Sequence, residues 1–455
     1  MLRARTLATL VVALLAAAPA FADGVRVLET DREAAEARVE LALGARRELL
    51  VSAFIFGDDP FTLTSLGLLR ETARRGVRVK LIADAQWNAI PRAVQAHLLA
   101  EGVEIRDYHP FRLDRLRWVS QRMHDKLAVA DGRVLLAGGR NLEGLYFGFG
   151  QQTRAHDQRG ESMSPDVVER APGGGRPRNN YVDCDLLVEG DAAGEAQRYF
   201  LALWNSRDVR PSPARATAGE IAAASARLDH HLAWLQARID EARRDPARRP
   251  VSPVESGAVR FLHDPIEGNV ASAPRVGDEL RELLDGARES VIVESPYLVP
   301  TRGLRAGLRR ALGRGVHVRI LTNSLAATDN LWPQAGYVGD KAQLVKSGVE
   351  LWEYQGPECL HAKDAVIDGE TVIVGSYNLD PRSQRLNREL VLVVRNAEVA
   401  AELRRRMDRH LERALRIDAR GFPQGAGERY PGIPRSKVWK LRLLRLLAPL
   451  VRGQL

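Results

Sequence analysis

The sequence is poor in the residues that define disulfide-rich and metal-binding protein classes. It has two cysteines in 455 residues, which excludes a disulfide scaffold, and neither lies in a CxxC zinc spacing. Cys184 and Cys359 could form one disulfide in an oxidising compartment, although two buried free thiols are the favoured alternative. The sequence also lacks HExxH and an acidic triad, so neither a metal nor another cofactor is expected. The content of 45% hydrophobic and 27% charged residues excludes a disordered chain and a polytopic membrane protein.

Lysine is scarce, with 7 residues among 67 basic ones, and the positive charge is unevenly distributed. The formal net charge is +9, and residues 401–455 carry 14 Arg and Lys against 5 Asp and Glu. The C-terminal segment therefore accounts for the whole excess, and the rest of the chain is neutral. A neutral body argues against broad nucleic-acid binding, which needs a basic face along the groove. No nucleic-acid partner is expected.

Only the N-terminus has a long apolar run. Arg3 and Arg5 precede residues 7–18, which are apolar, and Ala20-Phe21-Ala22 then has the small-x-small pattern of a cleavage site. This pattern predicts a secretory signal peptide over residues 1–22 and an exported, periplasmic protein. A retained membrane anchor is the alternative, although the run is short for a span of about 20 residues.

The chain repeats itself at an interval of about 240 residues. Four segments recur in the same order, namely 45–52 as 287–294, 75–82 as 314–321, 101–105 as 347–351 and 124–132 as 361–369. A period this long indicates two copies of one domain rather than a solenoid.

Each copy has the pattern of alternating strands and helices, which favours a layered α/β fold. In the first copy residues 49–55 and 77–83 are short apolar strands, and the amphipathic helix between them ends at Gly76. The Asp-Gly pairs at 131–132 and 368–369 lie between apolar runs and predict hairpins. The predicted units are a first domain over 23–221, a helical connector over 222–258, a second domain over 259–420 and a basic amphipathic tail over 421–455, with a surface loop at 154–179.

The strongest repeat contains residues suited to phosphoryl chemistry. The first copy has His124, Lys126, Asp131, Gly138, Gly139 and Asn141, and the second has His361, Lys363, Asp368, Gly375, Ser376 and Asn378, at identical spacings. From composition, a His-x-Lys triplet is expected roughly 0.15 times in this chain, yet it occurs twice at equivalent places. The paired motif resembles the two HKD motifs of the phospholipase D superfamily, over nearly the whole mature chain.

The same roles follow from strand geometry. Residues i and i+2 of a strand share a face, so His124 projects with Lys126, and His361 with Lys363. If the copies pack face to face, both pairs meet in one cleft, where one histidine can attack phosphorus while the other protonates the leaving oxygen. The lysines, with Asn141 and Asn378, would stabilise charge on the phosphoryl oxygens.

The family resemblance adds further expectations. It implies two pseudo-symmetric α/β/α sandwich domains with the active site at their interface and a metal-free reaction through a phosphohistidine. A monomer with internal pseudo-twofold symmetry is expected, although the sequence leaves the oligomeric state open. It also assigns the nucleophile to His124 and the general acid, then base, to His361. The predicted catalytic residues are His124, Lys126, Asp131, His361, Lys363 and Asp368, the predicted phosphate-binding residues are Asn141, Ser376 and Asn378, and the predicted supporting carboxylates are Glu389 and Asp183 or Asp185. Asp131 and Asp368 could instead be turn residues, and Gly139 leaves the first copy without the hydroxyl of Ser376.

Two segments point to a lipid substrate. Residues 378–389 are similar to the block after the second motif of bacterial cardiolipin synthases, and residues 138–147 are similar to their first half more loosely. The basic amphipathic tail predicts binding to an anionic membrane surface, or else a helix docked on the protein's own core. We therefore expect a phosphatidyltransferase acting on glycerophospholipids. A phospholipase D, a secreted nuclease or phosphodiesterase of the same fold, and a non-enzymatic surface protein remain alternatives.

Overall fold

The computed structural model describes residues 23–149, 180–244, 253–267, 275–425 and 433–454. The predicted signal peptide, residues 1–22, and the predicted surface loop, residues 154–179, lie outside the described residues. Within the described ranges the chain forms two mixed β-sheets with helices on their faces, which confirms the predicted pair of α/β/α sandwich domains.

The described elements follow one another in alternating order. The strands are β1 (Asp23–Leu28), β2 (Glu48–Ala53), β3 (Arg78–Asp84), β4 (Val103–Tyr108), β5 (Leu127–Ala130), β6 (Val134–Gly138), β7 (Tyr181–Val182), β8 (Asp185–Glu189), β9 (Val209–Pro211), β10 (Val254–Ser256), β11 (Arg260–His263), β12 (Ser290–Glu294), β13 (His317–Asn323), β14 (Glu350–Tyr354), β15 (Cys359–Leu360), β16 (Asp364–Ile367), β17 (Thr371–Gly375), β18 (Leu390–Arg395) and β19 (Ala414–Arg416). The α-helices are α1 (Asp31–Gly44), α2 (Pro60–Arg74), α3 (Arg92–Ala100), α4 (Asp191–Trp204), α5 (Ala218–Arg244), α6 (Arg275–Gly286), α7 (Arg302–Gly313), α8 (Leu331–Lys346), α9 (Pro381–Arg385), α10 (Ala397–Leu411) and α11 (Arg435–Val451). Short 3₁₀ helices lie at Leu113–Val119, Gly144–Phe147 and Arg452–Gln454.

The two sheets have the same strand order. The first runs β10-β1-β8-β6-β5-β2-β3-β4-β9 and the second β11-β18-β17-β16-β12-β13-β14-β19. Apart from the added edge strand β10, the orders correspond strand for strand. In each sheet three neighbouring strands are parallel, β2-β3-β4 and β12-β13-β14, and the strands that carry the motifs pair antiparallel.

Local signals in the sequence explain where helices and turns form. Asp59 is the N-cap of helix α2 and Thr301 is the N-cap of helix α7. Each side chain accepts hydrogen bonds from backbone N–H groups of the first turn. The chain leaves these helices through Gly76 (φ +87°) and Gly315 (φ +85°), which adopt the left-handed conformation without the cost of a Cβ. Both predicted Asp-Gly hairpins are confirmed, with positive φ at each of the four turn residues.

A continuous apolar core joins the two sheets. Helices α4 and α10 lie between them, and Phe200 of α4 and Leu403 of α10 are almost fully buried. The same buried cluster contains Val129 of the first sheet and Val366 of the second. The remaining helices cover the outer faces, over separate apolar clusters. The halves therefore pack face to face, and their inner surfaces are unavailable to solvent.

Two segments that the sequence left outside the domains pack onto them. Helix α5 begins at Ala218, before the predicted start of the connector, and lies across α2 and α3 with Leu228 fully buried. In the predicted tail, α11 docks on α8 through Leu441 and Ala448 while much of its remaining surface stays exposed. None of the helices in the described ranges combines the length and the low charge that a membrane crossing requires.

Candidate active site

The two His-x-Lys segments occupy equivalent places in the two sheets. His124 and Lys126 come directly before β5, and His361 and Lys363 come directly before β16. All four residues are buried, with 2–5% of their surface exposed. Both strands lie in the interior of their sheets, so each motif has fixed neighbours on both sides.

Each histidine is held by a backbone segment of the opposite half. The N–H of His124 donates to the carbonyl of Arg388 (2.8 Å), and the N–H of Arg388 donates to the carbonyl of Arg122 (2.8 Å). In the same way the N–H of His361 donates to the carbonyl of Val182 (2.7 Å), next to the parallel pairing of β15 with β7. The site is therefore built at the interface by main-chain bonds that cross between the halves, as predicted.

The predicted carboxylates bind the histidines reciprocally. Glu389 of the second half accepts from Nδ1 of His124 at 2.9 Å, and Asp183 of the first half accepts from Nδ1 of His361 at 2.6 Å. Asp185, the alternative to Asp183, instead pairs with two arginines of its own half. Because each Nδ1 is occupied by a carboxylate, Nε2 is the nitrogen left for chemistry in both rings.

The lysines complete the two pairs. Lys126 Nζ donates to the carbonyl of His124 (2.5 Å), and Lys363 Nζ lies 3.8 Å from Asp183 Oδ2 and within hydrogen-bond distance of the His361 ring. Burial and the charge of Lys363 together lower the pKa of Lys126 to about 7. Burial likewise lowers the pKa of Lys363, although Asp183 opposes that change. An anionic phosphodiester placed between these ammonium groups would offset the burial of their charges and the repulsion between them.

The two imidazoles are neutral near pH 7 for the same reason. Burial, then the charges of Lys126 and Lys363, hold the pKa of His124 well below its usual value. Burial and Lys363 lower the pKa of His361 to about 4, against the opposing effect of Asp183. The charges of the second pair thus act on the first, in keeping with the hydrogen bonds that tie each histidine to the opposite half at the same interface.

The two carboxylates differ in their ionisation. Burial raises the pKa of Glu389 to about 7, partly offset by Lys126 and by hydrogen bonds from Ser376 and Ser383. Burial also opposes ionisation of Asp183, but Lys363 and His361 outweigh it and hold its pKa below the usual range. The reciprocal site is therefore chemically asymmetric.

The predicted asparagines lie at the site in different surroundings. Asn141 is buried, accepts from the N–H of Ile55 (3.1 Å) and donates from Nδ2 to the hydroxyl of Tyr146 (2.8 Å). Asn378 is buried as well, and among the described residues its Oδ1 has no hydrogen-bond partner. The amide oxygen of Asn378 is thus an acceptor left without a partner, whereas both ends of the Asn141 amide are occupied.

Ser376 and Gly139 have a different role from the predicted one. The Ser376 hydroxyl donates to Glu389 and accepts from the N–H of Leu390 (3.0 Å), so it supports a carboxylate rather than binding phosphate. A Cβ at Gly139 would lie 2.0 Å from Oδ1 of Asp183, because this carboxylate occupies the space of the missing side chain. The first copy therefore combines Gly139 with Asp183, whereas the second combines Ser376 with Glu389.

Asp131 and Asp368 lie outside the cleft, which revises their predicted catalytic placement. They follow β5 and β16 at the ends away from the histidines, in the hairpin turns. The Asp131 carboxylate accepts the backbone N–H groups of residues 46, 47 and 48 at 2.8–2.9 Å. Asp368 accepts those of residues 288, 289 and 290 in the same way. The structure places them as the turn residues of the alternative interpretation.

Several aromatic side chains at the site were missed from the sequence. Tyr146 and Tyr181 stack on each other with ring centroids 4.4 Å apart, and both meet the His361 ring edge-on at 5.1 Å. The hydroxyl of Tyr146 lies 3.4 Å from Nε2 of His361. On the other side, Phe54 meets the ring of His124 at 5.0 Å. These residues have no fixed spacing to the motifs, and only Tyr146 stood in a segment that the resemblance pointed to.

The cysteines next to the site are free thiols. Cys184 follows Asp183, Cys359 begins β15, and both are buried. This is the alternative that the sequence favoured.

Comparisons with known proteins identify the family and agree with the fold. The family model described as cardiolipin synthase, PLD-like domain, matches residues 40–151 and 280–411, together more than half of the chain. Cardiolipin synthase C of Escherichia coli is 29% identical over 420 residues, which cover 83% of this chain and 82% of the relative. Cardiolipin synthase A of Pseudomonas aeruginosa is 26% identical over 94% of this chain and 73% of the relative. The crystal structure of phosphatidylserine synthase from Haemophilus influenzae is similar with a TM-score of 0.66 and 16% identity, over 95% of both chains.

Proposed function

Since the chain belongs to the PLD-like family of cardiolipin synthases and is an enzyme of the phospholipase D type, we propose that it transfers phosphatidyl groups between glycerophospholipids. The observation that supports this most is the pair of His–Lys–carboxylate sets in one buried cleft. Each set has the residue types that phosphodiester exchange requires. The relatives named as cardiolipin synthases make phosphatidylglycerol the first substrate to test.

In the proposed first step, Nε2 of His124 attacks the phosphorus of the donor lipid. The nitrogen is unprotonated because burial lowers the pKa of the ring, and Glu389 stabilises the positive charge that develops on it. A P–N bond forms, the bond to the leaving alcohol breaks, and Nε2 of His361 protonates the departing oxygen. His361 would take up that proton when the anionic substrate arrives, since a nearby negative charge raises an imidazole pKa.

In the proposed second step, His361 removes a proton from the hydroxyl of an acceptor. The oxygen of the acceptor attacks phosphorus, the P–N bond breaks and His124 is regenerated. Lys126 and Lys363, buried beside the two histidines, would stabilise the charge on the non-bridging oxygens in both steps, and Asn378 would add a donor through Nδ2. With a second phosphatidylglycerol as acceptor, the product is cardiolipin.

Transfer is proposed over hydrolysis because the site is enclosed. The catalytic side chains are almost completely buried, and Tyr146 and Tyr181 cover His361. Exclusion of water favours an alcohol acceptor over a water molecule. Hydrolysis by the same residues is the second candidate, with water as the acceptor.

We further propose that the enzyme is exported, works as a single chain and binds an anionic membrane surface through α11. The N-terminal pattern supports export. A single chain supplies both histidines and both carboxylates, which supports a monomer. The undocked face of α11 exposes Trp439, Leu446 and Leu450 beside basic residues, which supports binding in the plane of a bilayer.

Mass spectrometry of lipids formed by the purified protein tests the proposal. Vesicles of phosphatidylglycerol should yield cardiolipin and glycerol, and His124→Ala or His361→Ala should abolish product with little change in the melting temperature. Residual activity within about tenfold of wild type in either variant would contradict the assigned roles, because nucleophile and acid each contribute far more. Phosphatidic acid as the main product would favour hydrolysis, and cleavage of single-stranded DNA without lipid turnover would favour the nuclease.

A further inference from the structure

Most of the exposed apolar side chains lie in two segments of the chain. The described residues leave twelve large hydrophobic side chains exposed, and only Leu43 lies on the outer helix α1. The other eleven are Trp87, Phe111, Leu113, Leu116, Val119, Trp332, Trp439, Leu443, Leu446, Leu447 and Leu450. Five of them belong to α11, whereas four lie in a short segment of the other half, residues 111–119.

This segment combines apolar exposure with positive charge. Phe111 is 72% exposed, Leu113 81% and Leu116 62%, which are extreme values for such side chains in a soluble protein. The nine residues also contain three arginines against one aspartate. Apolar side chains between arginines match an anionic bilayer, which offers hydrocarbon below a layer of negative headgroups.

The segment is connected directly to the first histidine. Arg122 donates to the carbonyl of Trp118, to the carbonyl of His109 (3.2 Å) and to the carboxylate of Asp84 (3.1 Å). Through these bonds Arg122 fixes both ends of the segment, and His124 follows two residues later. A partner bound to residues 111–119 therefore lies beside the His124 side of the cleft.

The segment and α11 are neighbours although they come from opposite ends of the chain. Arg382 donates to the carbonyl of Ser120 (3.2 Å) at one end of the segment and to the carbonyl of Gln454 (3.3 Å) just beyond α11. At its other end α11 reaches the His361 side, where Lys437 donates to the carbonyl of Thr328 (3.2 Å), next to Asp329, which binds Tyr181. The two apolar surfaces thus border the same cleft from the two halves.

We propose that residues 111–119 form a second membrane-docking element, which inserts into an anionic phospholipid bilayer together with α11. The inference rests on the proposed function, because a lipid substrate is what makes a bilayer the partner. Two insertion points on opposite sides of the cleft fix the orientation of the enzyme, so that lipid headgroups reach the histidines without leaving the interface. A single amphipathic helix would leave the molecule free to rotate about its axis.

Site-specific fluorescence tests the insertion independently of catalysis. Leu116→Cys in a His124→Ala background is labelled with the environment-sensitive fluorophore NBD, and Leu43→Cys serves as the matched control. The native thiols, Cys184 and Cys359, are 1% exposed and should not react. Vesicles containing phosphatidylglycerol should at least double the emission of the Leu116 probe and shift it to the blue, without changing that of the Leu43 probe.

The other outcomes overturn the proposal. An unchanged Leu116 probe would show that the segment stays in water. Emission that is already blue-shifted without vesicles would show that protein covers the segment. If that emission rises with protein concentration, the cover is a second copy of the chain; if it does not, the cover is another part of the same chain. Catalysis is tested separately with the double variant Leu113→Ser/Leu116→Ser. It should lower turnover on vesicles at least tenfold but keep turnover of a soluble short-chain substrate within about threefold of wild type. The control variant Leu43→Ser should change neither rate. Equal losses on both substrates would also overturn it.

Discussion

Replacing Glu389 by glutamine changes one side of the reciprocal site without changing its shape. The carboxylate accepts from Nδ1 of His124 at 2.9 and 3.1 Å, and hydroxyls of Ser376 and Ser383 hold it from behind. Glutamine keeps an oxygen for the imidazole but loses the negative charge that stabilises the ring while the P–N bond forms. The expected effect is therefore on turnover rather than on folding or substrate binding.

The size of the effect follows from the type of hydrogen bond lost. A hydrogen bond to a charged group contributes about 1.5–3 kcal/mol, and about 1.4 kcal/mol corresponds to a factor of ten in rate. We expect kcat to fall between about 10-fold and 150-fold, with KM unchanged within about twofold. The pH profile should change as well, because burial raises the pKa of Glu389 to about 7. In the wild type, activity should decline as the pH falls through this value and the carboxylate is protonated, and Glu389→Gln should lack that decline.

A soluble short-chain phosphatidylglycerol assay separates kcat from KM and avoids vesicle binding. Glu353→Gln is the matched control, since Glu353 is a buried glutamate that accepts from Tyr337 (2.9 Å) and Lys341 (2.8 Å) away from the cleft. It should lower the melting temperature but leave kcat within about twofold. A Glu389→Gln variant with kcat within threefold of wild type, and with the acid limb of the pH profile intact, would refute the positioning role.

Three further outcomes are expected. Asp131→Ala should lower the free energy of unfolding by about 1–3 kcal/mol in urea titrations, because three backbone N–H groups lose their acceptor, while kcat stays unchanged. Burial alone would raise the pKa of Asp131, but the three backbone hydrogen bonds hold the folded pKa below its usual value. The stabilisation is therefore lost as the pH falls through that lowered pKa. A free energy of unfolding that does not change at acid pH would contradict this expectation. Gly139→Ala should reduce kcat more than tenfold by displacing Asp183, whereas Gly44→Ala, with open space around its Cβ, should not; equal activities would count against the crowding argument. On the alkaline side, kcat/KM should fall as the pH rises through about 7, because Lys126 then loses its charge, and constant values up to pH 9 would argue against that role.

Much of the fold was predictable because its signals are local. The Asp-Gly hairpins, the helix stops at Gly76 and Gly315 and the alternation of apolar strands with amphipathic helices each depend on a few neighbouring residues. The motif residues His124 and His361 were predictable for a different reason, since their identical spacings in two copies make coincidence improbable. The placement of both before interior strands follows once the hairpins are recognised.

The partners of those residues depend on how the halves pack, which no local pattern contains. The hydrogen bond from the N–H of His124 to the carbonyl of Arg388 decides which histidine receives Glu389. His124 and Glu389 lie 265 positions apart in the sequence. Ser376 was assigned to phosphate because its hydroxyl is suited to it, yet the nearby carboxylate is the stronger acceptor in a buried site. Asp131 was ambiguous for the opposite reason, since its motif spacing and its turn position supported different roles.

The asymmetry of the two pairs gives a physical reason for dividing the roles between two similar histidines. Asp183 stays ionised beside His361 and opposes the lowering of the pKa of that ring, whereas burial and both lysines hold the pKa of His124 well below its usual value. His361 is thus the easier ring to protonate, and an arriving phosphodiester anion raises its pKa further, which suits a general acid. His124 resists protonation and keeps a free nitrogen for attack, and Glu389, with its pKa near 7, is driven towards its ionised form when a cation forms on the imidazole beside it. The presence of Glu389 and Ser376 where the other half has Asp183 and Gly139 therefore supports the proposed assignment of His124 as nucleophile.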